Sequence, residues 1–194
     1  MKKNSYYIVN TITFYRLLTA PILVFLIAWV RYDIFKWMLA VSFFTDAIDG
    51  LIARHYIVTS VFGSSLDSIA DDLTIVAAII GIFVFKREFL MQYMSVIFFL
   101  LALFFIQMII AIARYGKISS FHTYSAKFAA IQQAVFILLL FFLVKPVVWL
   151  FFVTAAATVI NLVEEIILVM ILPEWKVNVK GLFWIIKENK TRYP

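Results

Sequence analysis

The acidic residues of this 194-residue chain are concentrated in one stretch. Five of the 11 lie between positions 46 and 72, in a largely apolar context, at Asp46, Asp49, Asp67, Asp71 and Asp72. An ionised carboxylate in apolar surroundings is costly unless it is paired with a cation or binds a metal. Packing gives no reason for such a cluster, so the cluster indicates a functional site.

Spacing divides four of these aspartates into two pairs. Asp46 and Asp49 are three residues apart, and Asp67 and Asp71 are four residues apart. On helices each pair would share one face, because residues three and four apart lie one above the other. The connection between the pairs contains the Gly-Ser-Ser sequence of residues 63–65 and is short enough to fold the second helix back on the first. We therefore predict that four carboxylates converge.

Four converging carboxylates supply the hard oxygen ligands that suit Mg²⁺ or Mn²⁺, and two such ions could be held. A metal held by carboxylates is a common device for binding phosphates. Gly50 and Ala53 continue the face of the first pair with almost no side chain, which leaves room for a ligand or a close helix. The alternative is that the acids pair with Arg16, Arg54 or Arg114. One or two arginines, however, cannot neutralise four or five aspartates.

The composition indicates that the elements carrying these aspartates cross a membrane. The chain is 65% hydrophobic, 18% aromatic and 14% charged, with a mean hydropathy of +1.02. Soluble domains are about 45–50% apolar and about 25% charged, so a soluble enzyme, a nucleic-acid-binding module and a disordered chain are excluded. Spans of about 20 apolar residues predict an all-α bundle of six transmembrane helices, at residues 8–30, 34–54, 67–85, 91–113, 126–144 and 147–172.

Charge predicts the orientation of this bundle. Most of the 17 basic residues fall at the two termini and in the 54–67 and 114–126 connections. The positive-inside rule places these segments, and both termini, in the cytoplasm. We predict one membrane domain over residues 1–172, followed by a basic C-terminal tail over residues 173–194 that lies in the membrane interface. The absence of cysteine excludes disulfides and thiolate metal sites.

The aspartate motif resembles the signature of a known family. The pattern Asp46-x-x-Asp49-Gly50-x-x-Ala53-Arg54, eight residues, Gly63-x-x-x-Asp67-x-x-x-Asp71 is similar to the signature of the CDP-alcohol phosphotransferase family at every specified position and spacing. On the first helix, Asn10-Thr11-Ile12-Thr13-x-x-Arg16 resembles an Asn-x-x-Thr-x-x-Arg element often found there in this family.

The resemblance implies metal-dependent transfer of a phosphatidyl group from CDP-diacylglycerol to a small alcohol, with release of CMP, in phospholipid biosynthesis. It implies that Asp46, Asp49, Asp67 and Asp71 hold Mg²⁺ or Mn²⁺, as two ions, and that Asp71 is the general base. It assigns the nucleotide and donor to Asn10, Thr13, Gly50, Ala53, Arg54 and Gly63. We expect a multi-pass protein of the bacterial inner membrane with its active site facing the cytoplasm. Membrane lipids are expected partners, nucleic acid is not, and a homodimer is left open.

A phosphorylated acceptor requires further basic residues. Such residues gather before and within the start of the predicted fifth helix, at Arg114, Lys117, His122 and Lys127. We assign the acceptor to Arg114 and Lys127, because they lie at helix ends from which they could point into the bundle. The alternative is that all four are ordinary positive-inside anchors.

The identity of the acceptor stays open between several alcohols. Family members that make phosphatidylglycerophosphate carry Gly-Lys-x-x-Thr-x-x-Gln where residues 126–133 read Ala-Lys-Phe-Ala-Ala-Ile-Gln-Gln, which keeps the lysine and one glutamine. They also carry Asp-Lys where this chain has Asp71-Asp72. We favour glycerol 3-phosphate, with serine or inositol phosphate as the alternative.

Two rival functions are disfavoured, a divalent-cation channel or transporter that uses the same aspartates and a membrane scaffold without activity. A divalent-cation transporter is disfavoured because its acids usually lie near the membrane midplane on broken helices or in repeated halves. Here the acids lie at one end and no repeat is found. A catalytically silent family member acting as a membrane scaffold is disfavoured because all eight motif positions are present.

Other polar residues lie in apolar helices. Asn161, Glu164 and Glu165 either mark the end of the sixth helix at the headgroups or line a polar pocket between helices. We favour the helix end, because acids are tolerated better at the interface than in the core. Gln107 and Gln132 are predicted to form interhelical hydrogen bonds.

Overall fold

The computed structural model describes the backbone of residues 2–56, 61–116, 121, 123–174 and 179–192. Within these ranges it describes the side chains of residues 14–46, 48, 70, 73–116, 121, 123–174 and 179–187. Every regular element in this part of the chain is an α-helix. The all-α class predicted from the sequence is therefore confirmed.

Eight helices occur among the described residues, and six of them cover the six predicted segments. They are α1 Lys2–Ala28, α2 Tyr32–Tyr56, α3 Val61–Phe85, α4 Arg87–Gln92, α5 Met94–Tyr115, α6 Tyr124–Phe142, α7 Val148–Ile171 and α8 Leu182–Arg192. The two additional helices, α4 and α8, are short. Neither is an apolar run of membrane-spanning length, which is the only signal on which the six predicted segments rest.

Two predicted boundaries were wrong. The helix α3 begins at Val61, so Gly63 and its two neighbouring serines belong to the helix and not to the connection. Glycine and serine lower helix propensity by at most about 1 kcal/mol per residue, which tertiary context readily overrides. The predicted helix at 91–113 is divided at Tyr93, which lies outside both α4 and α5.

The surface identifies a helical membrane protein. Within the described part of the chain, α5, α6 and α7 are long and apolar enough to cross a membrane, and Phe14–Ala28 and Leu73–Phe85 are shorter apolar helical segments. Large apolar side chains such as Phe98, which is 71% exposed, cover the outside of these helices. Soluble monomers rarely expose contiguous apolar surface on this scale. Six spans with both termini in the cytoplasm stay a prediction.

The chain divides into two compact units, of which the first comprises Met1–Met91 and Phe141–Val144. Its helix α1 packs against both α2 and α3. Small buried residues on α3, Ala77 and Ala78 among them, allow the close helix approach that is typical of membrane bundles. Near one end of the unit, the fully buried ring of Phe35 lies 5.2 Å from that of Phe141.

A three-residue turn joins α1 to α2. In this turn Arg31 N–H donates to the Leu26 carbonyl at 2.9 Å and Val30 N–H donates to the Ile27 carbonyl at 3.0 Å. This pair of bonds forms a Schellman motif, with Val30 in the left-handed conformation (φ 55°). The tight turn brings α1 and α2 together as an antiparallel pair.

The second unit comprises Gln92–Leu140 and Lys145–Pro194. Its α5 packs against α7. The rings of Phe136 on α6 and Phe151 on α7 lie 5.5 Å apart, and Gln133 Nε2 donates to Thr158 Oγ1 at 2.9 Å. Thus α6 and α7 are joined by apolar and polar contacts.

Candidate active site

One predicted metal ligand, Asp46, is held by an arginine from the neighbouring helix. Arg16 on α1 forms a salt bridge with Asp46 on α2, with 2.8 Å between Nη1 and Oδ1. The Arg16 side chain is 2% exposed, whereas that of Asp46 is 42% exposed. The pair therefore joins a buried cation to a carboxylate that a ligand can still reach.

The α1–α2 hairpin explains why these two side chains meet. Arg16 precedes Val30 by 14 residues and Asp46 follows it by 16, so the tight turn brings them to similar heights on antiparallel helices. A buried guanidinium in an apolar bundle is costly unless a carboxylate neutralises it. Removing either member would leave the other charge poorly compensated.

This salt bridge shows that metal binding and pairing with arginine are not exclusive alternatives for Asp46. Pairing of the aspartates with arginine was set aside as an alternative to metal binding, yet Asp46 does pair with Arg16. Arg16 was quoted in the first-helix motif but was not assigned to the site. The spacing along the sequence could have indicated that Arg16 belongs to the site. Arg16 follows Thr13 by three residues and Asn10 by six, so the three residues lie near one face of α1.

The other predicted donor and metal residues lie on helices, with side chains outside the described residues. Asn10 and Thr13 are on α1, Asp49, Gly50, Ala53 and Arg54 on α2, and Gly63, Asp67 and Asp71 on α3. Both helices that carry the aspartate pairs are continuous through them, so the helical spacing assumed from the sequence is present. Convergence of the four carboxylates stays a prediction. Lys117 and His122 lie wholly outside the described residues.

The donor set fits a divalent metal by its chemistry. Among the side chains that the structure describes, no three His, Cys, Asp or Glu residues form a group that could hold a metal. Of the four predicted ligands, only Asp46 has a described side chain, and its Oδ1 binds Arg16. A carboxylate has further lone pairs on both oxygens, so the same side chain can accept a bond from Arg16 and bind a hard cation.

The two predicted acceptor residues lie at helix ends, as expected, and both are exposed, so the structure does not bury either of them inside the bundle. Arg114 is in the last turn of α5, and its Nη2 donates to the Leu172 carbonyl at 3.3 Å. Lys127 is exposed in the first turn of α6, with Nζ 5.6 Å from the centre of the Tyr124 ring. A guanidinium has five N–H donors and an ammonium three. These contacts therefore leave both side chains able to bind a phosphate.

The interpretation of Glu164 and Glu165 as a helix end was wrong. The helix α7 continues to Ile171, and both carboxylates take part in contacts between elements. Glu165 Oε2 accepts a bond from Gln107 Nε2 of α5 at 2.9 Å, which confirms the interhelical role predicted for Gln107. Both acids instead belong to polar contacts between helices, where hydrogen bonds offset their partial burial.

Glu164 binds the first turns of two other helices. Its Oε2 accepts a hydrogen bond from the Ser125 hydroxyl of α6, and its Oε1 accepts one from Leu182 N–H of α8 at 2.8 Å. Ser125 Oγ also lies 3.2 Å from Asn161 Oδ1. In the sequence, the three-residue spacing of Asn161 and Glu164 indicated that both side chains lie on one face of α7, where they can contact the same residue.

Comparison with known proteins assigns the chain to a family. The sequence profile of the CDP-alcohol phosphatidyltransferases matches residues 6–171, and this range contains every predicted site residue. The chain belongs to the CDP-alcohol phosphatidyltransferase family. The resemblance found in the aspartate motif is thereby confirmed.

One similar protein of known description supports this membership. A Schizosaccharomyces pombe (strain 972) protein described as a cardiolipin synthase (CMP-forming) and mitochondrial hydrolase fusion is 34% identical over 71 residues. The matched stretch covers 37% of this CDP-alcohol phosphatidyltransferase and 12% of the fusion protein. No solved structure gives a significant match to the chain.

Proposed function

We propose that this chain transfers a phosphatidyl group from CDP-diacylglycerol to a small alcohol and releases CMP. The observation that carries the proposal is the complete eight-position aspartate motif within the family match over residues 6–171. The Arg16–Asp46 salt bridge supports it, because the motif's first carboxylate is fixed between two helices and remains accessible. Phosphoryl transfer depends chiefly on positioning and on neutralising charge.

In the proposed mechanism, Asp46, Asp49, Asp67 and Asp71 hold Mg²⁺ or Mn²⁺. When bound, the metal supplies positive charge against the donor pyrophosphate. Asp71 accepts the proton of the acceptor hydroxyl. The hydroxyl oxygen forms a bond to the phosphorus that carries diacylglycerol. The bond from that phosphorus to the bridging oxygen breaks, and its electron pair leaves with CMP.

Arg16 has a positioning role in this proposal. Its salt bridge fixes one oxygen of Asp46, which limits the orientations that the carboxylate can adopt. A ligand oxygen held in place loses less conformational freedom when substrate binds. Asn10, Thr13, Gly50, Ala53, Arg54 and Gly63 are proposed to contact or make room for the nucleotide.

The acceptor that we favour is glycerol 3-phosphate, bound through Arg114 and Lys127. The support is the position of both cations at helix ends, with donors beyond those used in their described contacts. A phosphorylated acceptor brings about 1.5 to 2 negative charges to an anionic donor, so it needs cations of its own. Serine or inositol phosphate is the alternative.

The proposed setting is a six-span domain of the bacterial inner membrane over residues 1–172. Both termini and the active site face the cytoplasm, and the basic tail lies in the interface. An open groove of about 490 Å³ along α1 and α2, lined by Tyr15, Asp33, Ile34, Trp37, Met38 and Val41, supports a membrane-facing donor site. Its lining is largely apolar, and in this proposal an acyl chain of the donor lies against it.

The experiment is CMP release from CDP-diacylglycerol by the purified protein, measured across a panel of alcohols. The panel contains glycerol 3-phosphate, serine, inositol, inositol phosphate and choline. Release that depends on one alcohol, with formation of the matching phospholipid, supports the proposal. No release with any of them, while reconstituted protein conducts or transports divalent cations, would establish the transporter alternative.

A further inference from the structure

The chain beyond α7 packs closely on the start of α6. Val179 N–H donates to the Phe121 carbonyl at 2.8 Å, and Tyr124 N–H donates to the Lys180 carbonyl at 3.3 Å. Buried residues from both segments and from α5 and α7 form one apolar cluster, namely Ala111, Phe121, Leu168, Val169, Leu172 and Val179. This segment lies beyond the family match, which ends at residue 171, yet its described part is integral to the second unit.

Glu164 is the polar centre of this arrangement. The first N–H groups of a helix lack partners within it, and a carboxylate there is favoured by the helix dipole. Glu164 satisfies Leu182 N–H of α8 in this way, while its second oxygen accepts the Ser125 hydroxyl of α6. Glycine suits position 181 because its φ of 148° is one that L side chains rarely adopt, and a Cβ there would also lie 2.9 Å from Glu164 Oε1.

From α8, aromatic contacts continue to a proposed acceptor residue. The ring of Trp184 lies 5.3 Å from that of Tyr124, and Lys127 Nζ lies 5.6 Å from the centre of the same Tyr124 ring. A lysine side chain is flexible, and a cation–π contact restricts where its ammonium lies. The docking of α8 thereby limits the positions of both Tyr124 and Lys127.

We propose that Glu164 is a positioning residue for acceptor binding and that it acts by holding α8 against the first turn of α6. The inference rests on the proposed function, because it assigns Lys127 to the acceptor phosphate. Loss of the carboxylate leaves Leu182 N–H without this acceptor, and Ser125 keeps only its contacts with Asn161 and Thr123. The Trp184–Tyr124 contact then loosens, and Lys127 samples more positions. Donor binding, which is assigned to residues of α1, α2 and α3, does not depend on this contact.

The first test compares Glu164→Ala with Glu164→Gln in steady-state transfer assays in which each substrate is varied in turn. Glu164→Ala is expected to raise KM for the acceptor about tenfold, the scale of losing hydrogen bonds to a charged group, with KM for CDP-diacylglycerol unchanged. Glu164→Gln is expected to restore most of the affinity, because its amide can accept from Leu182 N–H and donate to Ser125. Equal increases in both KM values, or none, would overturn the proposal.

Two further variants keep the test decisive if Glu164→Ala does not fold. Gly181→Ala puts a side chain at a φ of 148° and a methyl group against Glu164 Oε1, so it strains the segment that leads into α8 and is expected to raise the acceptor KM alone. Trp184→Ala, at a 44% exposed position, is expected to do the same, and Trp184→Phe to do so less. The matched controls are Val163→Ala on α7 and Ile186→Ala on α8, both at exposed positions. An acceptor KM that changes equally in variants and controls would contradict the positioning role.

Limited trypsin digestion gives a readout that does not depend on activity. Cleavage after Lys180 or Lys187 is expected to be faster in Glu164→Ala than in the wild type and the Val163→Ala control. Unchanged cleavage would contradict the docking role of Glu164. If the wild type releases no CMP with any alcohol, the proposed function fails and the acceptor role falls with it. If the wild type is active and only the variant kinetics disagree, this inference alone fails.

Discussion

The carboxylate of Asp46 lies 2.8 Å from the guanidinium of Arg16, a side chain that is 2% exposed. The first aspartate of the motif therefore has a role within the fold as well as a proposed role in metal binding. Because Arg16 is buried and Asp46 is not, the carboxylate neutralises a charge inside the helix hairpin and keeps one side open.

This salt bridge is expected to contribute measurably to stability. A double-mutant cycle of Arg16→Gln and Asp46→Asn should give a coupling energy of about 1–2 kcal/mol, within the range for contacting residues and above that of exposed pairs. The measurement is thermal unfolding in detergent. The Asp33–Lys36 pair, whose carboxylate is 83% exposed, is the control and should couple by less than about 0.5 kcal/mol. A coupling near zero for Arg16 and Asp46 would contradict a structural role for the bridge.

Transfer activity is expected to require a divalent metal. Excess chelator should abolish CMP release, and Mg²⁺ or Mn²⁺ should restore it, because the donor pyrophosphate is held through the ion. Asp46→Asn and Asp67→Asn should both weaken donor binding, measured by equilibrium titration with CDP-diacylglycerol in mixed micelles. Full activity in excess chelator would refute metal dependence.

Asp71 is expected to differ from the other three aspartates in its kinetic effect. Asp71→Asn should lower kcat by about 10²-fold or more, the usual scale for loss of a general base. Its donor affinity should fall less than that of Asp67→Asn, since the remaining carboxylates still hold the metal. Single-turnover kinetics beside equilibrium donor binding would separate the two effects. Equal losses of donor binding would make Asp71 an ordinary ligand.

Neutralising either proposed acceptor cation is expected to affect one substrate only. Arg114→Gln and Lys127→Gln should each raise KM for the acceptor and leave KM for CDP-diacylglycerol nearly unchanged. Arg114→Lys should also raise the acceptor KM if the guanidinium binds phosphate through two donors, because a lysine ammonium cannot replace that geometry. Arg114 also binds the Leu172 carbonyl, so thermal unfolding of each variant is measured in parallel. The exposed Lys145→Gln is the control. Normal acceptor KM values in both variants would favour serine or another unphosphorylated alcohol.

Gly81 is expected to be required by close packing between α3 and α2. A Cβ at Gly81 would lie 2.5 Å from Cζ of Phe35, whose ring is fully buried. Gly81→Ala should therefore lower the free energy of unfolding by about 1–3 kcal/mol, the usual cost of overpacking a core. Adding Phe35→Leu should recover part of this loss, because the shorter side chain withdraws from the new methyl group. Failure of the double variant to recover stability would contradict the steric explanation.

The sequence by itself determined the class of the protein and its family. Apolar composition and segment length depend on residue types alone, so they predicted an all-helical membrane protein before any packing was known. The spacing of Asp46, Asp49, Asp67 and Asp71 is likewise readable along the chain, and helix geometry converts it directly into shared faces. The profile match over residues 6–171 confirmed the family.

Tertiary structure alone decided the partners of individual polar side chains. The α1–α2 hairpin brings Arg16 into a salt bridge with Asp46. In the sequence, Arg54 and Arg114 were equally possible partners of the aspartates. Because the chain folds back after α7, Glu164 contacts the first turns of both α6 and α8. The sequence had instead favoured a position for Glu164 at the headgroups. Periodicity fixes which face of a helix a residue occupies. Only the packing of helices distant in sequence fixes what that face meets.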